Sequence, residues 1–181
     1  MPEPDQHVRS IPRFAYALIA GAAFVADQVT KSMIVRRIAL YEVIPVIPHF
    51  LNLTHSQNPG AAFGLFADSP GPWKTVLLVL VSALLIGAVL AVVWRSRQLD
   101  WRAGMGLALI LGGAISNLVD RIRFGRVVDF LDLYLRGYHW YTFNVADAAI
   151  VTGAFLLILR VAFADERSER PGVAGAEAGN K

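Results

Sequence analysis

Four predominantly apolar stretches divide the chain, and each is long enough to cross the roughly 30 Å hydrocarbon layer of a bilayer as a helix. The first, residues 14–35, is broken only by Asp27-Gln28-Val29-Thr30-Lys31. The second, 75–94, carries no charge. The third, 103–120, is rich in glycine (Gly104, Gly106, Gly112, Gly113), which lets helix backbones approach closely in lipid. The fourth, 143–163, is interrupted by Asp147 near its start and Arg160 near its end. Arg9 and Arg13 ahead of a short apolar core also fit a cleaved signal peptide, but three further spans favour a retained first helix.

The segments between the spans differ in character. Residues 1–13, with Pro2, Pro4 and Pro12, form a polar tail, and 165–181 form a second one, small and charged; both are expected to be disordered. In the connection 36–72, Tyr41–Ile47 and Phe50–His55 alternate in strand fashion, with Pro45 and Pro48 unsuited to helix. Asn58-Pro59-Gly60 marks a turn. The expected fold class is therefore an all-α membrane protein of four transmembrane helices, with a small β-sheet outside the bilayer between helices 1 and 2. The connection 121–142 carries Phe130, Tyr134, Tyr138, Trp140 and Tyr141, a composition suited to an aromatic belt at the head groups.

Composition narrows the function. The 181 residues are 55% hydrophobic and 17% charged, against the roughly 25% charged residues of soluble domains. The net charge of +3 sits mostly on arginines at span ends, which suits lipid anchoring and not a nucleic-acid footprint. Cysteine is absent, which excludes disulfides and thiolate chemistry, and the four histidines form no metal motif.

The polar residues inside the spans converge. With antiparallel helices, Asp27 lies ~20 Å along the first and Asn117 ~21 Å along the third, while Asn144 and Asp147 lie within ~6 Å of the start of the fourth. Asp27, Asn117, Asp120, Arg121, Asn144 and Asp147 thus meet at one end of the bundle, where the loops add Asn58 and Asp129. Ionisable groups in a span are costly, face the interior and usually serve function. Simpler roles compete for several of them. Asp27 and Lys31, at i and i+4, can simply pair. Asp120 can brace its neighbour Arg121, Asn144 can cap the fourth helix, and Asp132 is expected to face solvent. Asp147 has no basic neighbour at helical spacing, and it and Asp129 stand out as candidates for chemistry.

The blocks Gly112-Gly113-Ala114-x-x-Asn117-x-x-Asp120-Arg121, Gly125-x-Val127-Val128-Asp129-Phe130-x-Asp132 and Phe143-Asn144-x-Ala146-Asp147 resemble the signature of lipoprotein signal peptidase, or signal peptidase II. Asp27-Gln28-x-Thr30-Lys31 and Asn58-x-Gly60-Ala61-Ala62-Phe63 are similar to that family's two earlier motifs, and the likeness spans about residues 14–163. The resemblance implies a multi-pass enzyme of the bacterial inner membrane with its active site toward the periplasm and both tails in the cytoplasm. It implies removal of signal peptides from prolipoproteins, with cleavage just before a diacylglyceryl-modified cysteine. It places the catalytic pair at Asp129 and Asp147, and substrate-binding or supporting roles at Asn58, Gly113, Asn117, Arg121 and Asn144. Asp27, Lys31 and Asp120 are left as structural or uncertain.

Two neighbouring carboxylates can do this chemistry unaided. Close together they cannot both ionise cheaply, so one keeps a proton while the other takes one from water. No metal or cofactor is expected, the partners are prolipoprotein substrates and membrane lipid without nucleic acid, and the working unit is expected to be the monomer. The rival reading is a small proton- or cation-coupled carrier, since intramembrane Asp and Arg also mark ion paths. Against it, the polar residues gather at one end. Arg95, Arg97 and Arg102 place their short loop inside by the positive-inside rule, whereas Arg121, Arg123, Arg126 and Arg136 argue the reverse, so orientation follows from the resemblance.

Overall fold

The computed structural model describes residues 12–60, 71, 73–96 and 99–168. Apolar runs in lipid must satisfy their backbone internally, which leaves the helix as the one local solution for an isolated span. Four helices result: α1 (Arg13–Arg37), α2 (Trp73–Arg95), α3 (Trp101–Phe124) and α4 (Val145–Ser168). All four are long and apolar enough to cross a membrane. Large apolar side chains point outward along them, Leu84 and Trp94 of α2 at 74% and 83% exposure, as a lipid-facing surface requires.

α3 is the centre of the bundle and packs against α1, α2 and α4. Its glycines make this possible. A Cβ at Gly112 would collide with the Ala20 carbonyl oxygen of α1, and one at Gly113 with the Ala146 carbonyl oxygen of α4. A Cβ at Gly106 would lie 2.7 Å from the Gly153 carbonyl oxygen. Close helix approach in lipid relies on such small residues, because burying apolar surface gains little there.

The sheet is larger than the sequence reading expected. β1 (Val43–Ile47) and β2 (Leu51–Asn58) lie between helices 1 and 2 as anticipated, but the connection between α3 and α4 adds β3 (Val127–Leu135) and β4 (Tyr138–His139). The four strands form an antiparallel sheet in the order β1-β2-β3-β4. Pro45 sits in the edge strand, where a missing N–H is tolerated. Gly125, with φ +69°, closes α3 in the left-handed conformation and turns the chain straight into β3. The expected aromatic belt is therefore only part of the account. Tyr138, Trp140 and Tyr141 are exposed, but Phe130 is buried with Ile34 and Ile38, where the sheet rests on the end of α1.

The pairing of β2 with β3 positions the site. Ser56 opposes Asp129 and Asn58 opposes Val127, so Asn58 and Asp129 are diagonal neighbours on one face. A bulge between Leu53 and Ser56 sets this register. Phe143 bridges to Leu131 immediately before α4 and thereby fixes where the fourth helix begins beside β3.

Candidate active site

Asp147 enters the site through the start of α4. Asn144 precedes that helix, and its Oδ1 accepts the Asp147 N–H at 2.9 Å, while the Asp147 carboxylate accepts the Asn144 N–H at 3.2 Å. This reciprocal pair is a capping box with Asp in the third helical position. The expected cap is present, and the same amide also reaches Asp129. Its Nδ2 donates to Asp129 Oδ1 at 2.7 Å. A single asparagine therefore holds both aspartates, the Asp129 carboxylate through its side chain and the Asp147 carboxylate through its backbone N–H.

Asp129 reaches the same place from the middle of β3 and is 3% exposed. Its second oxygen accepts from Asn58 Nδ2 at 3.0 Å, and Asn58 is held in turn by accepting the Gly60 N–H at 2.9 Å. Burial pushes the Asp129 carboxyl up to about 7, and the charge of Asp147 adds to the rise. The hydrogen bonds from Asn58 and Asn144, and more distantly the charge of Lys31, oppose it. Near neutral pH, Asp129 is poised to hold or release a proton.

Asn117 of α3 completes the surround of Asp147 by donating from Nδ2 to Oδ1 at 2.8 Å. Arg121, one turn further, donates to the backbone oxygens of Asn117 at 3.4 Å and Gly60 at 3.3 Å, and its buried Nε has no hydrogen-bond partner among the described residues. Its charge acts most strongly on Asp147, then on Asp129 and Asp120. Asp129, Asp147, Asn58, Asn117, Arg121 and Asn144 are thus brought together.

Behind them lies a second polar cluster. Lys31 pairs with Asp27 at 2.6 Å and with Asp120 at 2.7 Å. The expected Asp27–Lys31 pair is present, but Asp120 does not brace Arg121. Adjacent residues point about 100° apart on a helix, so Asp120 turns toward α1 while Arg121 turns toward the sheet. Gly113 lies at the close α3–α4 contact, against Ala146. Asp132 does not face solvent. It is buried, accepts from Asn52 Nδ2 at 2.8 Å, and pairs with His139 at 2.9 Å.

Sequence reasoning missed Gln28 and Ser116. Gln28 Nε2 donates to Asp120 Oδ1 at 2.8 Å and Ser116 Oγ to Asp27 Oδ2 at 2.7 Å, with Ser116 fully buried. The available signal was Ser116 one turn before Asp120 and Gln28 beside Asp27, both polar within spans. Among the described residues no group of three His, Asp or Glu side chains is arranged to hold a metal ion.

Comparison with known proteins points to one family. The family model for signal peptidase (SPase) II matches residues 19–163. A lipoprotein signal peptidase of Solibacter usitatus is 44% identical over 141 residues, covering 78% of this chain and 86% of that protein. One from Haemophilus ducreyi is 47% identical over 144 residues, covering 79% and 87%. Two solved structures described as a bacterial membrane enzyme share the fold. The first has a TM-score of 0.80 at 29% identity over 92% of this chain and 98% of the other. The second has a TM-score of 0.75 at 30% identity over 86% and 97%.

Proposed function

The chain belongs to the signal peptidase II family, and on that footing we propose that it is a membrane aspartic endopeptidase acting on prolipoproteins. It removes their signal peptides by cutting just before a diacylglyceryl-modified cysteine. Its place is the bacterial inner membrane, with the sheet and the two aspartates toward the periplasm and residues 1–13 and 165–181 in the cytoplasm. The observation that carries this reading is Asn144, which donates from its side chain to the buried Asp129 carboxylate and from its backbone N–H to the Asp147 carboxylate, and so holds together two carboxylates from different elements. The carrier alternative finds no support: the relatives are peptidases, and the polar groups form one layer.

The chemistry follows from the surroundings of each carboxylate. Asp129, raised to about 7 mainly by burial, carries the shared proton at neutral pH and hydrogen-bonds the scissile carbonyl. Asp147 then serves as base. It takes a proton from water as the water oxygen bonds to the carbonyl carbon, and Asp129 gives its proton to the carbonyl oxygen. The resulting gem-diol collapses when Asp147 protonates the leaving nitrogen and Asp129 recovers a proton from a diol hydroxyl. The products are a signal peptide with a free carboxyl end and a lipoprotein with a free amino group on its cysteine. Arg121 places positive charge beside this centre, and Asn58 and the Gly60 carbonyl border the approach of the substrate backbone.

The test is cleavage of a lipidated prolipoprotein by wild type, Asp129→Asn and Asp147→Asn at equal membrane abundance. Each variant is expected to form no mature product, because one carboxylate cannot act as both acid and base. Substantial product from either variant removes that residue from the mechanism.

A further inference from the structure

Lys31 takes no part in the chemistry above, yet its contacts lead directly to Asp147. Its ammonium has three donors and no acceptor. It donates to Asn117 Oδ1 at 2.8 Å and forms ion pairs with Asp27 Oδ2 at 2.6 Å and Asp120 Oδ2 at 2.7 Å. The two carboxylates are themselves fixed. Asp27 accepts from Ser116 Oγ at 2.7 Å and from the Ala146 N–H of α4 at 2.8 Å, and Asp120 accepts from Gln28 Nε2 at 2.8 Å. Lys31 is buried, and its ammonium cannot turn away without breaking an ion pair.

The consequence falls on Asn117. The two ends of an asparagine amide have the same shape and opposite hydrogen-bonding character, so its surroundings choose its orientation. A donor-only ammonium facing one end at 2.8 Å requires that end to be oxygen, and Asn144 Nδ2 donates more weakly to the same oxygen at 3.3 Å. The amino end must then face Asp147 Oδ1, where it donates at 2.8 Å. In the reversed amide, NH₂ would meet NH₃⁺ and oxygen would meet carboxylate, which is unfavourable at both ends. We propose that Lys31 is a positioning residue for catalysis, acting through Asn117 to keep a hydrogen-bond donor on Asp147. The proposal rests on the reading of Asp147 as catalytic. It gives the Asp27–Lys31–Asp120 cluster a task beyond holding α1 to α3.

Lys31→Met alone would leave Asp27 and Asp120 as buried carboxylates without a cation, which is strongly destabilising. The useful variant is therefore Asp27→Asn/Lys31→Met/Asp120→Asn, whose amides retain acceptors for the Ala146 N–H and Gln28. The readouts are kcat and KM on a lipidated prolipoprotein in detergent, with the thermal midpoint checking the fold. The expected result is a roughly 10- to 100-fold fall in kcat with KM nearly unchanged, the rate equivalent of losing one hydrogen bond to a charged group. Asn117→Leu should give a similar loss, and adding it to the triple variant should cost little more, because both changes remove the same donor. A merely structural lysine would give a folded triple variant with wild-type kcat, or losses that multiply with Asn117→Leu, and either result overturns the proposal. Should the triple variant not accumulate, Asn117→Asp asks the same question from the other end. It offers Lys31 an acceptor but Asp147 no donor, and a wild-type kcat in that variant overturns the proposal equally. Asp129→Asn, run alongside, separates the two claims. Cleavage by that variant sinks the aspartic mechanism itself, whereas its inactivity beside an active triple variant sinks only the role of Lys31.

Discussion

Asp129→Asn should stabilise the folded protein in alkaline solution while abolishing cleavage. In wild type, the distance from the ordinary 3.8 to about 7 corresponds to roughly 4 kcal/mol, at about 1.4 kcal/mol per unit. The sign follows from the direction. A carboxyl raised on folding binds its proton more tightly in the native state, so its handicap is absent below about pH 4. The handicap grows as pH rises from about 4 to about 7, and it is constant above that range. An amide carries no such handicap, but Asn58 and Asn144 both donate to this residue, and one of them would then face an NH₂ group. Asn144 is committed to the α4 cap, so the mismatch falls on Asn58, at about 1–3 kcal/mol. The net expectation is a gain of about 1–3 kcal/mol near pH 8 and a loss of similar size near pH 4. At about 2–4 °C per kcal/mol for a chain of this length, the midpoint difference should change sign between the two conditions and exceed the error of the measurement. Thermal unfolding of detergent-solubilised protein, followed by tryptophan fluorescence at several pH values, is the assay. A midpoint difference that stays constant with pH, or that turns against the variant as pH rises, would refute the account of Asp129 as a buried carboxyl raised by its surroundings.

Further outcomes follow from the same geometry. Cleavage by wild type should decline as pH rises above about 7, where Asp129 loses the proton it gives to the scissile carbonyl, and a rate that stays level to pH 9 would contradict that role. Gly113→Leu should lower the thermal midpoint and activity together, because its side chain would be driven into the Ala146 carbonyl oxygen and part α3 from α4; a variant as stable as wild type would show that the close approach is dispensable. A strong chelator should leave the rate of purified enzyme unchanged, and a loss restored by Zn²⁺ or Mg²⁺ would sink the two-aspartate mechanism. Prolipoprotein without its diacylglyceryl group should be cleaved far more slowly at equal membrane density. At about 0.8 kcal/mol per buried methylene, two acyl chains hold the cleavage point at the depth of the aspartates, whereas equal rates would place recognition in the peptide alone.

The four helices and the identity of the central residues were legible in the amino-acid sequence, for reasons that do not depend on packing. An apolar run in lipid has to close its backbone hydrogen bonds on itself, so length and composition determine a span. Charged and amide groups within such runs are too costly to be incidental, which is why Asp27, Asn117, Asp120 and Asp147 could be picked out one by one. The chain order of the motifs could also be matched to a known family. What could not be read was which group faces which. The connection 121–142 looked like an interfacial aromatic belt and not a strand, because a strand from a distant loop has meaning only once β2 lies beside it and the bulge at Leu53–Ser56 sets its register. Asp120 and Arg121 are neighbours in sequence yet part on the helix, one to Lys31 and the other to Gly60. The two ends of the Asn117 amide were indistinguishable until α1 delivered an ammonium to one of them. Gly113 could be read as substrate-binding or supporting, and only docking shows that α4 fills the space beside it. In each case the residue's type was local information, while its partner was chosen by the direction of a helix or strand face after docking, and only the tertiary structure holds that direction.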